Sequence, residues 1–197
     1  MKFLLGTKRN MTQIFADDGR VVPVTRVTAG PCVVTKVTPE KNGTQVEIGF
    51  GEKHRRSFHA DAMPELSRGT ELTVTTFAPG DIVQVTGISK GKGFQGVVKR
   101  HHFHGHPTTH GHKDQERMPG SIGTTGPERV FKGKRMAGRM GTDQVTVKNL
   151  EIVSVNAEKN ELLIKGALPG AIGGVVIIQA PGALSFSVAP VSVAPVA

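Results

Sequence analysis

Before residue 88 the chain alternates apolar and polar positions at a period of two. In "TQVEIGF", Val46, Ile48 and Phe50 share one face while Gln45, Glu47 and Gly49 share the other, as in a strand with one face buried. Asp18-Gly19 separates "MTQIF" from "RVVPVTRV", Asn42-Gly43 precedes "TQVEIGF", and Pro79-Gly80 separates "ELTVTTF" from "DIVQVTGI". Such dipeptides favour tight hairpins, so the spacing predicts an antiparallel sheet. The pattern resumes late in the chain: "QVTVKNLEIVSV" and "ELLIKG" read as strands around the turn "NAEKN", and "GG" precedes "VVIIQ". No amphipathic helix of three turns is visible. "HADAMPELSRG" contains Pro64 and reads as a linker or a broken turn.

Many short strands without long helices between them predict a mainly β fold, a small closed barrel or a sandwich. Residues 1–87 and 149–185 supply its core. Residues 88–148 form an insertion between two strands, too long for an ordinary hairpin connection and therefore functional or disordered. Residues 186–197, with two copies of "SVAPV" and prolines at 190 and 195, read as a mobile tail.

Charge sharpens this division. The 197 residues carry a formal +9, with 25 Lys plus Arg against 16 Asp plus Glu. Residues 88–148 hold 12 of those cations and 4 of the acids, so +8 falls on them and +1 on the rest. Confinement to one glycine-rich segment favours a dedicated surface for a polyanion, either nucleic acid or an anionic membrane. The single Cys32 allows no internal disulfide and offers no paired thiolates to a metal. "MKFLLGTKRN" is too short in apolar residues for a signal core, and "GGVVIIQAPGAL" is well short of the roughly 20 residues that span a bilayer. A soluble, cytoplasmic protein is expected.

Several motifs inside the basic segment invite chemical readings. "GKGFQGVV", Gly91 to Val98, matches G-x-G-x-x-G, but a dinucleotide site needs a βαβ unit around it, and the Walker spacing fails because Gly93 stands where Ser or Thr should follow Lys92. Phe94, Val97 and Val98 have the spacing of one helical face, which predicts a short helical turn pinned to the barrel with Lys99 and Arg100 aimed outward. The tract "KRHHFHGHPTTHGHK" carries His at 101, 102, 104, 106, 110 and 112. Pairs such as His104 with His106 or His110 with His112 suit zinc, although Gly105, Pro107 and Gly111 make the frame irregular. Imidazoles also stack on unpaired bases and donate to phosphates, a use that fits a loop threaded through folded RNA. Ser121 has no readable His and Asp partners, so nucleophilic catalysis is unsupported. "RVFKGKRMAGRMG" sets Arg129, Lys132, Lys134, Arg135 and Arg139 among glycines, with Phe131, Met136 and Met140 as apolar anchors, the strongest polyanion signal in the chain.

The blocks "LLGTKRNMTQIF", "GISKGKGFQGVVKRH", "THGHK", "PGSIG", "RVFKGKRMAGRMG", "VTVKNLEIV" and "LLIKGALPGA" resemble, in order, the bacterial form of the third protein of the large ribosomal subunit. The resemblance covers nearly everything before the tail. It implies a six-stranded closed barrel of the elongation-factor type and a long extension into 23S rRNA. It implies a structural role without catalysis or cofactor: binding near the 3' end of that RNA, helping to nucleate assembly, and reaching towards the peptidyl transferase region. Neighbours would be other large-subunit proteins, the fourteenth and nineteenth among them, with no membrane and no small-molecule substrate. Carried over by matching block, the rRNA contacts are Lys90, Lys92, Lys99 and Arg100 in a first arm. His110, Lys113, Arg117, Arg129, Lys132, Lys134, Arg135 and Arg139 follow in a second, and Lys8 and Arg9 lie on the barrel side. The chain departs from the family where many members have Trp and this one has His101. Thr124 and Thr125 also stand where some members carry a methylated Gln, and the tail lacks Lys and Arg.

A metal-dependent protein using the His tract and a soluble translation factor are the rival classes. The latter would require a nucleotide-binding domain that this chain does not contain.

Overall fold

A computed structural model describes residues 1–16, 18–41, 43–60 and 66–182. Along the chain the strands are β1 (Lys2–Phe15), β2 (Val21–Ala29), β3 (Cys32–Glu40), β4 (Gly43–Phe50), β5 (His54–Ala60), β6 (Glu71–Leu72), β7 (Ile82–Ile88), β8 (Gly93–Gln95), β9 (Gly138–Met140), β10 (Gln144–Asn156), β11 (Glu161–Lys165) and β12 (Val175–Ala180). Helical structure among the described residues is confined to a 3-10 turn at Val74–Thr76 and α1 (Val97–His101). No helix among them is long and apolar enough to cross a membrane.

Six strands pair in a ring that returns on itself, in the order β1, β12, β7, β10, β11, β2, every pairing antiparallel. Polar side chains bridge neighbouring strands: Gln84 donates to Gln179 at 2.8 Å, Thr86 and Thr146 hydroxyls lie 2.8 Å apart, and Arg26 meets Glu161 at 2.7 Å. Cross-strand pairs of this kind help to fix register where the hydrophobic pattern alone leaves it loose.

The remaining early strands do not join the ring. β5, β4, β3 and β6 form their own four-stranded sheet, whose buried side chains belong to the same hydrophobic cluster as those of the ring, so these strands share one core in two sheets. The sequence carries a trace of this. Phe3, Leu4 and Leu5 are consecutive and all fully buried, so β1 is covered on both faces rather than one. Phe3 stacks on Phe58 of β5, ring centroids 4.5 Å apart, and this contact identifies the second cover. The predicted strand "ELTVTTF" is also shortened: only Glu71 and Leu72 pair, and Val74–Thr76 turn as a 3-10 segment.

The turns at Asp18-Gly19 and "NAEKN" join paired strands as expected, with Gly19 and Asn160 at positive φ. Asn42, Pro64 and the 186–197 tail lie outside the described residues.

Cys32 sits in the core, its Sγ 3.4 Å from the Leu5 carbonyl. Burial pushes its thiol up from near 9 to about 11, because an ionised sulfur there would lose its hydration. The folded chain is therefore expected to resist iodoacetamide at pH 8 and the urea-unfolded chain to gain one alkyl group, read by intact mass. Because the unfolded thiol ionises first, this group removes stability as pH rises from about 9 towards 11.

Candidate nucleic-acid interface

The chain divides into two compact units, Met1–Ser89 with the chain from Gln144 onward, and Lys90–Asp143. The second unit contains 11 Lys plus Arg against 4 Asp plus Glu. It is built with little regular structure. β8 pairs with β9 through Gly93 with Met140, Phe94 with Arg139 and Gln95 with Gly138, and Lys92 donates its amide to the Met140 carbonyl at 2.9 Å. Gly141, at φ +79°, brings its backbone against the Lys90 carbonyl, where a Cβ would collide. The glycines of "GKGFQGVV" thus shape an antiparallel ribbon that runs through Gly96 into the single turn of α1, and β8 pairs with β9 in a two-stranded sheet, so the βαβ unit of a dinucleotide site is not formed among the described residues.

The expected helical face divides at this point. Val97 opens α1 and is buried, but Phe94 lies on β8 and is 77% exposed. Three residues of i, i+3, i+4 spacing are too few to distinguish a helix from a strand followed by a turn.

The two basic arms meet. Arg100 Nη1 donates to the Met136 carbonyl at 2.8 Å, and His101 Nε2 lies 3.1 Å from the same oxygen. Arg100 lies across Gly138, where even a Cβ would stand 2.6 Å from Nη1. His101 is therefore a link between segments 35 residues apart. Its ring also tilts against Phe103 at 6.2 Å. Farther along, His106 stacks on His112 at 5.3 Å, and the His106 amide donates to the Glu116 carbonyl at 3.0 Å. Gly105 permits that approach, at φ +75° against the same carbonyl. Residues 101–106, 118–120 and Arg135 line a concavity of about 330 Å³. Among the described residues no three His, Cys, Asp or Glu side chains are grouped to hold a metal ion.

Of the candidate contacts, Lys90, Lys92, Lys99, His110, Lys113, Arg117, Arg129, Lys132, Lys134, Arg135 and Arg139 are exposed. Arg139 Nη2 is steadied by Thr142 Oγ1 at 3.2 Å. In the first unit Arg9 is exposed and donates to Thr28 Oγ1 at 3.1 Å. Lys8 is different. It is buried, and its Nζ donates to the Leu168 and Gly170 carbonyls at 2.7 and 2.9 Å.

The chain matches the ribosomal protein L3 family over residues 8–170, a span that includes the whole second unit. The chain belongs to the ribosomal protein L3 family. Curated relatives include the large ribosomal subunit protein uL3 of Pelotomaculum thermopropionicum, 46% identical over 90% of this chain and 96% of its own. Those of Heliobacterium modesticaldum and Bacillus thuringiensis are 47% and 45% identical, covering 90% and 94% of this chain and 96% and 99% of theirs. As an L3 protein the chain is a structural constituent of the large subunit of the cytoplasmic ribosome and not an enzyme, and its partners are rRNA and other ribosomal proteins.

Proposed function

We propose that this L3 protein binds 23S rRNA directly near its 3' end, helps nucleate large-subunit assembly, and carries residues 88–148 towards the peptidyl transferase region. The observation that carries the reading is the second unit itself: eleven Lys and Arg against four acids, most of them exposed, on a backbone shaped by glycine turns. Such a surface suits phosphates at irregular spacing and exceeds what a solvated face requires. The contacts are Lys90, Lys92, Lys99, His110, Lys113, Arg117, Arg129, Lys132, Lys134, Arg135 and Arg139. Arg100 has donors beyond the one given to Met136, and Arg9 adds a contact from the first unit. The six-stranded ring is read as a barrel of the translation-protein type, and the fourteenth and nineteenth large-subunit proteins as neighbours.

Binding of the full chain to separate 5' and 3' thirds of 23S rRNA tests this. Retention of the 3' third through a salt wash that releases the 5' third is the expected result. Equal retention of both would remove the positional claim, and retention of neither would remove direct binding.

A further inference from the structure

The Phe94 side chain lies outside the buried core. It is 77% exposed, whereas Val97 three residues later is 2% exposed. Scattered exposed apolar residues are ordinary on protein surfaces, so exposure alone decides nothing. The surroundings do. Arg139 is the register partner of Phe94 across the ribbon, which places the two side chains on one face. Thr142 steadies the guanidinium through one nitrogen. Gly93 and Gly96, one residue before and two after Phe94, carry no side chains, and the positions their Cβ atoms would take are open apart from chain neighbours. With 77% of Phe94 exposed and no side chain at either glycine, the ring is open to a flat ligand from solvent. Lys92, also exposed, adds a second cation two residues earlier.

We propose that Phe94 is a stacking platform for an unpaired nucleobase of large-subunit rRNA, with Arg139 and Lys92 neutralising the phosphates next to that base. The inference rests on the rRNA-binding reading above and adds to it a ligand class at one residue. An aromatic face framed by cations on an accessible ribbon is the pairing that single-stranded nucleic acid requires: the ring takes the base and the cations take the backbone. An apolar pocket on a neighbouring protein would fill the same exposed side chain without needing the cations or the π face. Phe131, 55% exposed but outside any strand, lacks the cross-strand partner that singles Phe94 out.

The test measures equilibrium binding of the full chain to the 3' third of 23S rRNA across a salt series, for wild type, Phe94→Ala, Phe94→Leu, Phe94→Trp and Arg139→Gln. Phe94→Ala is expected to weaken binding roughly 10- to 100-fold with an unchanged salt slope, because stacking releases no counterions. Phe94→Trp should keep wild-type affinity, and Phe94→Leu, which has apolar volume but no π face, should not. Arg139→Gln should lower the slope by about one phosphate contact, roughly 0.7–0.9. Wild-type affinity in Phe94→Ala or Phe94→Leu, with wild type itself binding, overturns the stacking assignment alone. Failure of wild type to bind overturns both readings. Unchanged circular dichroism in the variants excludes misfolding as the cause.

Discussion

Replacing Arg129, Lys132, Lys134, Arg135 and Arg139 together by Gln is expected to weaken binding of the full chain to 23S rRNA by about three to five orders of magnitude near 0.1 M salt. The magnitude follows from counterion release: each neutralised phosphate contributes roughly 0.7–0.9 to the slope of log K against log salt, so five lost contacts lower it by about 3.5–4.5. All five residues are exposed, so the substitutions leave the cores intact and thermal unfolding should be little changed. Arg26 and Lys165 are the control, since Glu161 and Glu151 already neutralise them at 2.7 and 2.9 Å. Replacing those two should leave the slope where it was. A quintuple variant that retains the wild-type slope would place the binding surface elsewhere on the chain.

That surface was legible in the sequence because charge segregation is a local property, carried by the letters of "RVFKGKRMAGRMG" themselves. The strands were legible for the same reason: alternation in "TQVEIGF" and the glycine turns depend on neighbours a few residues away. Partner choice does not. Nothing in "VVIIQ" says that β12 lies between β1 and β7, because that pairing joins Leu4 to Ile178 and Val85 to Ile178 across most of the chain. Nor does the pattern separate β3 to β6 into a second sheet, though three consecutive buried residues in β1 hint at a strand covered twice. Within the candidate interface the list of cations could be read off, but the joint grip of Arg100 and His101 on the Met136 carbonyl could not. A backbone oxygen has no letter in the sequence.

Lys8 is the sharpest instance, and Lys8→Met is expected to destabilise the fold by roughly 2–4 kcal/mol without changing the salt slope of rRNA binding. The matched opening block suggests a phosphate contact, yet the ammonium is buried and directs two protons at the Leu168 and Gly170 carbonyls, 160 and 162 residues away. The same residue's amide donates to the Gly174 carbonyl at 2.9 Å, and its carbonyl accepts from the Gly173 amide at 2.8 Å. Lys8 thus fastens the segment before β12, and β12 is the strand that joins β1 to β7 in the ring. Methionine keeps the stem and both backbone bonds but leaves two carbonyls without their charged donor, the situation in which a lost hydrogen bond costs most. In a chain of this size each kcal/mol moves Tm by about 2–4 °C, so a fall of roughly 4–16 °C should be read by calorimetry. Arg9, one residue on and exposed, should behave in the opposite way under Arg9→Gln, with Tm held and the slope reduced by about one contact. If Lys8→Met instead lowers the slope and leaves Tm unchanged, the ammonium reads phosphate and the two carbonyls are satisfied without it. The two adjacent cations therefore separate folding from binding in a single pair of variants.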